Sequence, residues 1–240
     1  IYYCTERSAI MEITEVETIE LHGMDFEETA WVNEIEDDYK NNLFVRIHTA
    51  DGLTGLGETY PRPSVDAELI HSQIAPEIIG RSAHNIEAIW RDIFRPANYW
   101  GGYGGSEMRS LSAIDIALWD LKGKATGAPI YDILGGKYRD SLPTYNTCYE
   151  GEYDFNEEPV KLAESLLEDG ISAMKIWPYD GIAYKNDGRY ISPAELEEGA
   201  KPIAAIKDEL GTQMDVAMEF HGLWNVQCAK RIANHLEQYN

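Results

Sequence analysis

Residues 213–225 read QMDVAMEFHGLWN, and this stretch decides how the rest of the chain is interpreted. Large apolar side chains alternate with polar or small side chains along this stretch, which is typical of a β-strand. One row carries Glu219 and His221, two residues apart, just before a polar tip. In a parallel barrel one row packs on helices, the other points inward, and chemistry takes place at the C-terminal strand ends. The stretch therefore predicts a strand over residues 214–221 that places Glu219 and His221 side by side at a barrel mouth.

Composition limits the kind of protein that this chain can be. Its 240 residues are 44% hydrophobic, which is ample for a globular core, and its formal net charge is -22. Because so acidic a chain repels phosphate backbones, nucleic acid is not expected as a partner. No apolar run is long enough to span a membrane. Cys4, Cys148 and Cys228 are far apart and odd in number, which favours a reduced, cytoplasmic setting without a disulfide framework.

The first part of the chain predicts antiparallel strands followed by helices. Residues 11–22 alternate apolar and polar side chains, with one slip between Ile13 and Val16. Two further strands follow, joined by hairpin-turn residues at positions 51–52. The glycines of the strand over residues 53–60 indicate close backbone packing or a bulge. Helical periodicity then continues until a double glycine ends it.

From Leu142 the pattern changes to short strands that alternate with amphipathic helices. The strands are predicted over residues 142–147, 173–177 and 214–221, and the helices over residues 159–169, 193–210 and 225–239. This alternation is typical of a parallel sheet with right-handed crossovers.

Three segments together resemble the enolase superfamily, in its mandelate racemase and muconate-lactonizing branch, and within that branch the acid-sugar dehydratases. Residues 112–136 (SAIDIALWDLKGKATGAPIYDILGG) resemble the helix and Leu-Gly-Gly hinge that lead into the family's barrel. Residues 173–180 (AMKIWPYD) stand in the place of the second barrel strand, and residues 219–225 (EFHGLWN) in the place of the third.

The resemblance implies an α+β capping domain followed by a partial TIM-type α/β barrel. We assign residues 11–136 to the capping domain and residues 137–240 to the first three β-α units, with residues 1–10 set aside as an extension. An eight-stranded barrel takes about 250 residues. The other metal carboxylates and the catalytic base are therefore expected beyond Asn240, in a longer protein, and this chain alone is expected to be inactive.

The resemblance also implies a chemistry, in which a proton is removed next to a carboxylate and Mg²⁺ holds the enediolate. By position Glu219 is the first of three metal carboxylates, and carboxylate oxygen suits Mg²⁺. Lys175 matches the first lysine of the family's Lys-x-Lys pair, but Trp177 replaces the second and disfavours a two-base racemase. Lys175 is then expected to act electrostatically. His221 matches a histidine that acts as general acid in acid-sugar dehydratases of the family.

Further residues are predicted to contact the substrate, a small sugar acid. They are Trp177, Trp224, Asn225 and Trp31, the last within the acidic loop 23–41 that we expect to be a mobile lid over the barrel mouth. We also expect a homo-oligomer that acts in carbohydrate catabolism.

Two other functions stay open: a racemase, epimerase or cycloisomerase of the same family, and a non-catalytic protein that binds an acid sugar or only assembles. Structural alternatives stay open for the site residues as well. Lys175 and Glu219 would form an internal ion pair, His221 would make a supporting hydrogen bond, and Trp224 would pack.

Overall fold

The computed structural model of the protein describes residues 11–22, 41–99, 104–148 and 152–239. The chain divides into two compact units between Tyr138 and Arg139. The first unit contains an antiparallel sheet and the second a parallel one.

The sheet of the N-terminal unit has the strand order β1-β2-β3. Its strands are β1 (Ile13–His22), β2 (Asn41–Thr49) and β3 (Thr54–Thr59). The register of β1 on β2 is irregular between Ile13 and Glu15, where the sequence alternation slips. The turn between β2 and β3 contains Gly52 at a φ of 85°, a left-handed conformation that glycine adopts without steric cost. The predicted meander and its hairpin are confirmed.

Helices follow the meander and cover the sheet. They are α1 (Pro63–Leu69), a π-helical turn (Ile70–Ile74), α2 (Ala75–Ile78), α3 (Ile86–Tyr99), α4 (Gly105–Thr126) and α5 (Ile130–Ile133). Helix α4 lies so close to β3 that a Cβ on Gly55 would meet the carbonyl oxygen of Ala117 at 2.0 Å, and one on Gly57 that of Ala113 at 1.9 Å. The predicted close packing at these glycines is therefore confirmed.

The sheet of the C-terminal unit is parallel, in the order β4-β5-β6. Its strands are β4 (Asn146–Thr147), β5 (Ala173–Ile176) and β6 (Asp215–Met218), and its helices are α6 (Pro159–Glu168), α7 (Asp180–Lys185), α8 (Pro193–Leu210) and α9 (Val226–Leu236). A helix or helix pair follows each strand. This order confirms the predicted fold class, an α+β domain followed by part of a TIM-type α/β barrel.

Alternation along β5 separates a buried face from the face that carries the candidate site. Met174 and Ile176 are fully buried against the helices of the unit. Lys175 points to the opposite face, where its neighbours in register are Thr147 on β4 and Ala217 on β6. Because side chains alternate between the two faces of a strand, the burial of Met174 and Ile176 places Lys175 on the opposite face.

The structure corrects several predicted boundaries in this unit. Strand β6 ends at Met218 instead of continuing to residue 221, so strand alternation does not place His221. The strand predicted over residues 142–147 is reduced to its last two residues. Helix α7 was not predicted; it begins within the segment that was interpreted only as the end of a strand.

The described residues bear only in part on three other predictions, which concern the lid, the cysteines and a membrane span. Trp31 and nearly all of the predicted lid over residues 23–41 lie outside them. Cys148 and Cys228 are buried free thiols. Among the helices of the described ranges, none combines the length and apolarity needed to cross a bilayer.

Candidate active site

Lys175 and Glu219 form an ion pair at the carboxyl ends of β5 and β6. Lys175 Nζ donates to Glu219 Oε2 at 3.2 Å. The backbone of Glu219 is fixed as well, because its N–H donates to the carbonyl oxygen of Ile176 at 2.9 Å. The ring of Tyr145, just before β4, lies under the ammonium, with 5.5 Å from Nζ to the ring centroid. Lys175 on β5 thus meets one side chain from just before β4 and one from just after β6.

The carboxylate of Glu219 is held in its ionised form. Its Oε1 accepts the backbone N–H groups of Phe220 at 2.9 Å and His221 at 3.0 Å. The His221 N–H is the main cause that lowers the pKa of Glu219, and the hydrogen bond from Lys175 lowers it further. Because this carboxylate stays anionic at neutral pH, it offers hard oxygen atoms to a cation or to a positively charged side chain.

His221 is placed by a backbone turn and by two side chains. Its φ of 45° is left-handed, which is uncommon for a residue with a Cβ. Its Nδ1 lies 2.7 Å from Oδ2 of Asp180, the first residue of α7. The indole of Trp177 meets the imidazole edge-on, with the ring centroids 5.6 Å apart. The ring is therefore held between a carboxylate and an aromatic wall.

Asp180 is the member of the site that sequence reasoning missed. Its side chain is only 9% exposed, and burial raises its pKa, although the hydrogen bond to His221 opposes that rise. The sequence did offer a signal, because Asp180 follows the predicted strand 173–177 by three residues and belongs to the segment 173–180 that was compared with a barrel strand. Period-two reasoning could not pair it with His221, since both residues lie beyond the strands.

The predicted substrate-binding residues have different surroundings. Trp177 is buried in the core cluster that contains Phe155, against whose ring it stands edge-on, and it also borders His221. Trp224 is buried in a second cluster under α8 and α9. Asn225 caps α9, because its side chain accepts the backbone N–H of Cys228 at 2.9 Å. The structure thus gives Trp224 and Asn225 packing and capping contacts, and their substrate-binding role stays a prediction.

Glu219 is the residue of this site that was predicted to bind a divalent metal. Its ionised carboxylate is the kind of hard donor that Mg²⁺ prefers. Within residues 11–22, 41–99, 104–148 and 152–239, no three His, Cys, Asp or Glu side chains group together as a metal site would require. The described residues therefore form no complete metal site, and the role of Glu219 as a metal ligand stays a prediction.

An α+β domain followed by part of an α/β barrel is the class of protein that this fold and this strand-end cluster define. Residues 38–135 match the family model described as the N-terminal domain of mandelate racemase and muconate lactonizing enzyme. A D-gluconate dehydratase of Thermoproteus tenax is 32% identical over 202 residues, which cover 82% of this chain and 39% of the relative. A D-galactonate dehydratase of Variovorax paradoxus is 31% identical over 197 residues, covering 81% of this chain and 49% of the relative.

Solved structures agree with these sequence matches. An enolase of the mandelate racemase subgroup from Agrobacterium tumefaciens superposes with a TM-score of 0.77 at 39% identity, covering 95% of this chain and 55% of the other. An enolase from Sargasso Sea environmental sequences gives a TM-score of 0.79 at 36% identity, covering 95% and 56%. Together these matches support the mandelate racemase branch of the enolase superfamily as the family of this chain. It spans about half the length of the curated relatives that it matches.

Proposed function

We propose that the protein containing this chain is a metal-dependent dehydratase of a sugar acid. The observation that carries the proposal is that Glu219, just after β6, accepts hydrogen bonds both from the ammonium of Lys175 and from the backbone N–H of His221. Two of the matched relatives, the D-gluconate and D-galactonate dehydratases, support a sugar acid as the substrate class. The reaction would remove the proton next to the carboxylate and then expel the hydroxyl group on the neighbouring carbon.

Lys175 supplies positive charge to the substrate carboxylate in this proposal. When the α-proton leaves, negative charge accumulates on the carboxylate oxygens, and a fixed cation stabilises that charge more in the transition state than in the ground state. The ion pair with Glu219 and the ring of Tyr145 hold the ammonium in place before substrate arrives. Pre-organisation of this kind avoids a cost of reorganisation during the reaction.

Glu219 would hold Mg²⁺ as one member of its ligand set. A bound divalent ion would act as a Lewis acid that lowers the energy of the enediolate. The hydrogen bonds from the backbone of Phe220 and His221 occupy Oε1 and orient the carboxylate plane, while Oε2 faces Lys175.

His221 acts as the general acid in the second half of the reaction. The bond between the β-carbon and its hydroxyl oxygen breaks, the electron pair leaves with the oxygen, and the imidazolium gives that oxygen a proton, so that water departs. Histidine is the side chain that most often transfers a proton in general acid–base catalysis. We assign the base that removes the α-proton to none of the described residues.

The replacement of His221 by asparagine, His221→Asn, tests the assignment in the complete gene product. Two assays run side by side on gluconate, galactonate and xylonate: exchange of the α-proton with deuterated solvent, and formation of the dehydrated product. We expect dehydration to fall by about 10²–10⁴-fold, the usual range for general acid catalysis, while exchange continues. The matched control is His84→Asn in the N-terminal unit, which should change neither assay.

Other outcomes would redirect the assignment. Equal loss of exchange and dehydration would show that His221 is the base or a structural residue. If the wild type inverts the configuration at the α-carbon without dehydration, an epimerase is favoured instead. Against a two-base racemase stands Trp177, which occupies the position of the second lysine. Failure of every sugar acid to exchange or bind would favour a non-catalytic role. The homo-oligomer and the cytoplasmic setting stay predictions.

A further inference from the structure

The contact between Asp180 and His221 joins two elements that strand pairing does not connect. Asp180 begins α7, after β5, and His221 lies in the turn after β6, 41 residues later. Oδ2 of Asp180 approaches Nδ1 of the imidazole to 2.7 Å, a short distance typical of a charge-assisted hydrogen bond. Within the described part of the chain, Oδ1 is buried and has no hydrogen-bond partner. Asp180 therefore directs its only hydrogen-bonded side-chain oxygen to the imidazole.

We propose that Asp180 is a positioning residue that fixes the tautomer and the ring orientation of His221; this inference rests on the proposed role of His221 as general acid. A carboxylate that accepts from Nδ1–H leaves Nε2 as the nitrogen that exchanges a proton with the substrate. Asp180 itself gives no proton to the substrate.

Three contacts together restrict the imidazole. The backbone N–H of His221 donates to Glu219 Oε1, which ties the left-handed turn to the end of β6. Trp177 stands edge-on against the ring and blocks rotation toward the core. Asp180 then decides which nitrogen is turned outward, because a ring flip would cost the 2.7 Å hydrogen bond. If Asp180 served only to stabilise the turn, the tautomer of His221 would not matter.

The first test observes the tautomer directly. Histidine-selective ¹⁵N labelling of the complete gene product, at a pH well above the ordinary imidazole pKa of ~6.5, separates the protonated from the unprotonated ring nitrogen. His221→Asn assigns the signal. We expect wild-type His221 to carry its proton on Nδ1, whereas free histidine prefers Nε2. A wild-type His221 protonated on Nε2 would overturn the proposal without any mutant of Asp180.

The second test uses Asp180→Asn, whose amide nitrogen can donate to Nδ1 and so favours the opposite tautomer. We expect the His221 proton to move to Nε2 and dehydration to fall by about 10²–10⁴-fold while α-proton exchange continues. Asp180→Glu, which keeps a carboxylate, should retain the Nδ1–H tautomer and recover part of the dehydration. The matched control Asp215→Asn, at the other end of β6, should change neither.

The outcomes separate this inference from the proposed function. If the wild type dehydrates none of the sugar acids but His221 is an Nδ1–H tautomer that switches in Asp180→Asn, the general-acid role fails and the positioning contact stands. If the wild type dehydrates a sugar acid and Asp180→Asn dehydrates it equally well, the positioning role fails alone. Equal loss of exchange and dehydration in Asp180→Asn would also overturn it, since the residue would then support the whole site.

Discussion

The two charged pairs of the site differ in what brings their members together. Lys175 and Glu219 come from adjacent parallel strands, and the Glu219 N–H still bonds to β5 although β6 has ended. Asp180 and His221 both lie beyond the strands, one at the start of a short helix and one in a turn with left-handed backbone. The first pair follows from strand geometry, while the second depends on the paths of two connecting segments.

The pairs also differ in exposure. The side chains of Lys175 and Glu219 are 21% and 32% exposed, so both remain open to a substrate or a cation. Asp180 is 9% exposed and His221 39% exposed, so the carboxylate is enclosed and only the imidazole is presented. This asymmetry agrees with the roles proposed above, in which the first pair supplies charge and the second orients the imidazole. The following predictions begin with the first pair, continue with the packing behind the second pair and end at the start of α8.

Glu219→Gln should have the largest effect. The amide keeps an oxygen that accepts the backbone N–H groups, but it loses the anionic donor for Mg²⁺ and the partner of Lys175. We expect turnover to fall by about 10³-fold, the upper end of the range for one electrostatic group. Calorimetry provides a second readout: Mg²⁺ should raise the melting temperature of the wild type and not that of the variant. Glu209→Gln on α8 is the control.

Lys175→Met should reduce turnover by about 10²-fold, at the lower end of the same range, because Glu219 remains. The kinetic measurement is kcat/KM on the preferred sugar acid, with the exposed Lys230→Met as the control. Activity equal to that of the wild type would show that Lys175 is only the structural partner of Glu219. The tautomer of His221 should stay unchanged, because Asp180 remains in place as the partner of Nδ1.

The same variant should also change the titration of Glu219. Removal of Lys175 takes away one cause of the lowered pKa, but the backbone N–H of His221, the larger cause, remains. The pKa of Glu219 should therefore rise only part of the way to its ordinary value. An NMR titration of the carboxyl carbon measures this shift. A pKa that returned fully to the ordinary value would mean that Lys175, and not the backbone, keeps Glu219 ionised.

Gly199→Ala should disturb the second pair and spare the first. A Cβ on Gly199 of α8 would lie 2.2 Å from the buried ring of Tyr179, the residue next to Asp180. The Tyr179 hydroxyl donates to the carbonyl oxygen of Leu196, so the ring cannot move aside without loss. We expect a destabilisation of about 1–3 kcal/mol in urea unfolding, typical of overpacking. Gly181→Ala, where a Cβ meets nothing within 4 Å, is the matched control.

The smallest effect concerns the start of α8, the helix that carries Gly199. Glu195 accepts from the backbone N–H and hydroxyl of Ser192 and from the amide of Asn186, which lowers its pKa from 4.5 to about 2. Because the folded-state pKa is the lower one, its stabilisation is complete above about 4.5 and is lost as the pH falls toward 2. Glu195→Gln should flatten the pH dependence of the melting temperature in that window, and Glu209→Gln should not.

The sequence by itself determined a mixed N-terminal domain, a parallel β-α repeat and the first pair, for physical reasons that are local. Hairpin residues, the glycines of β3 and the β-α rhythm specify antiparallel and parallel strands, and period two assigns Lys175 to one face of its strand. Glu219 was placed correctly beside Lys175 because its backbone continues the strand path by one residue.

Only the tertiary structure decided the second pair. Strand alternation predicted His221 beside Glu219 on an extended strand, but the chain turns at His221 with a φ of 45°, and the imidazole meets Asp180 instead. After that turn Trp224 packs in a core cluster and Asn225 caps α9. The direction in which a connecting segment leaves a strand depends on the packing of distant side chains, such as Tyr179 against Gly199, and periodicity along the sequence carries no record of that packing.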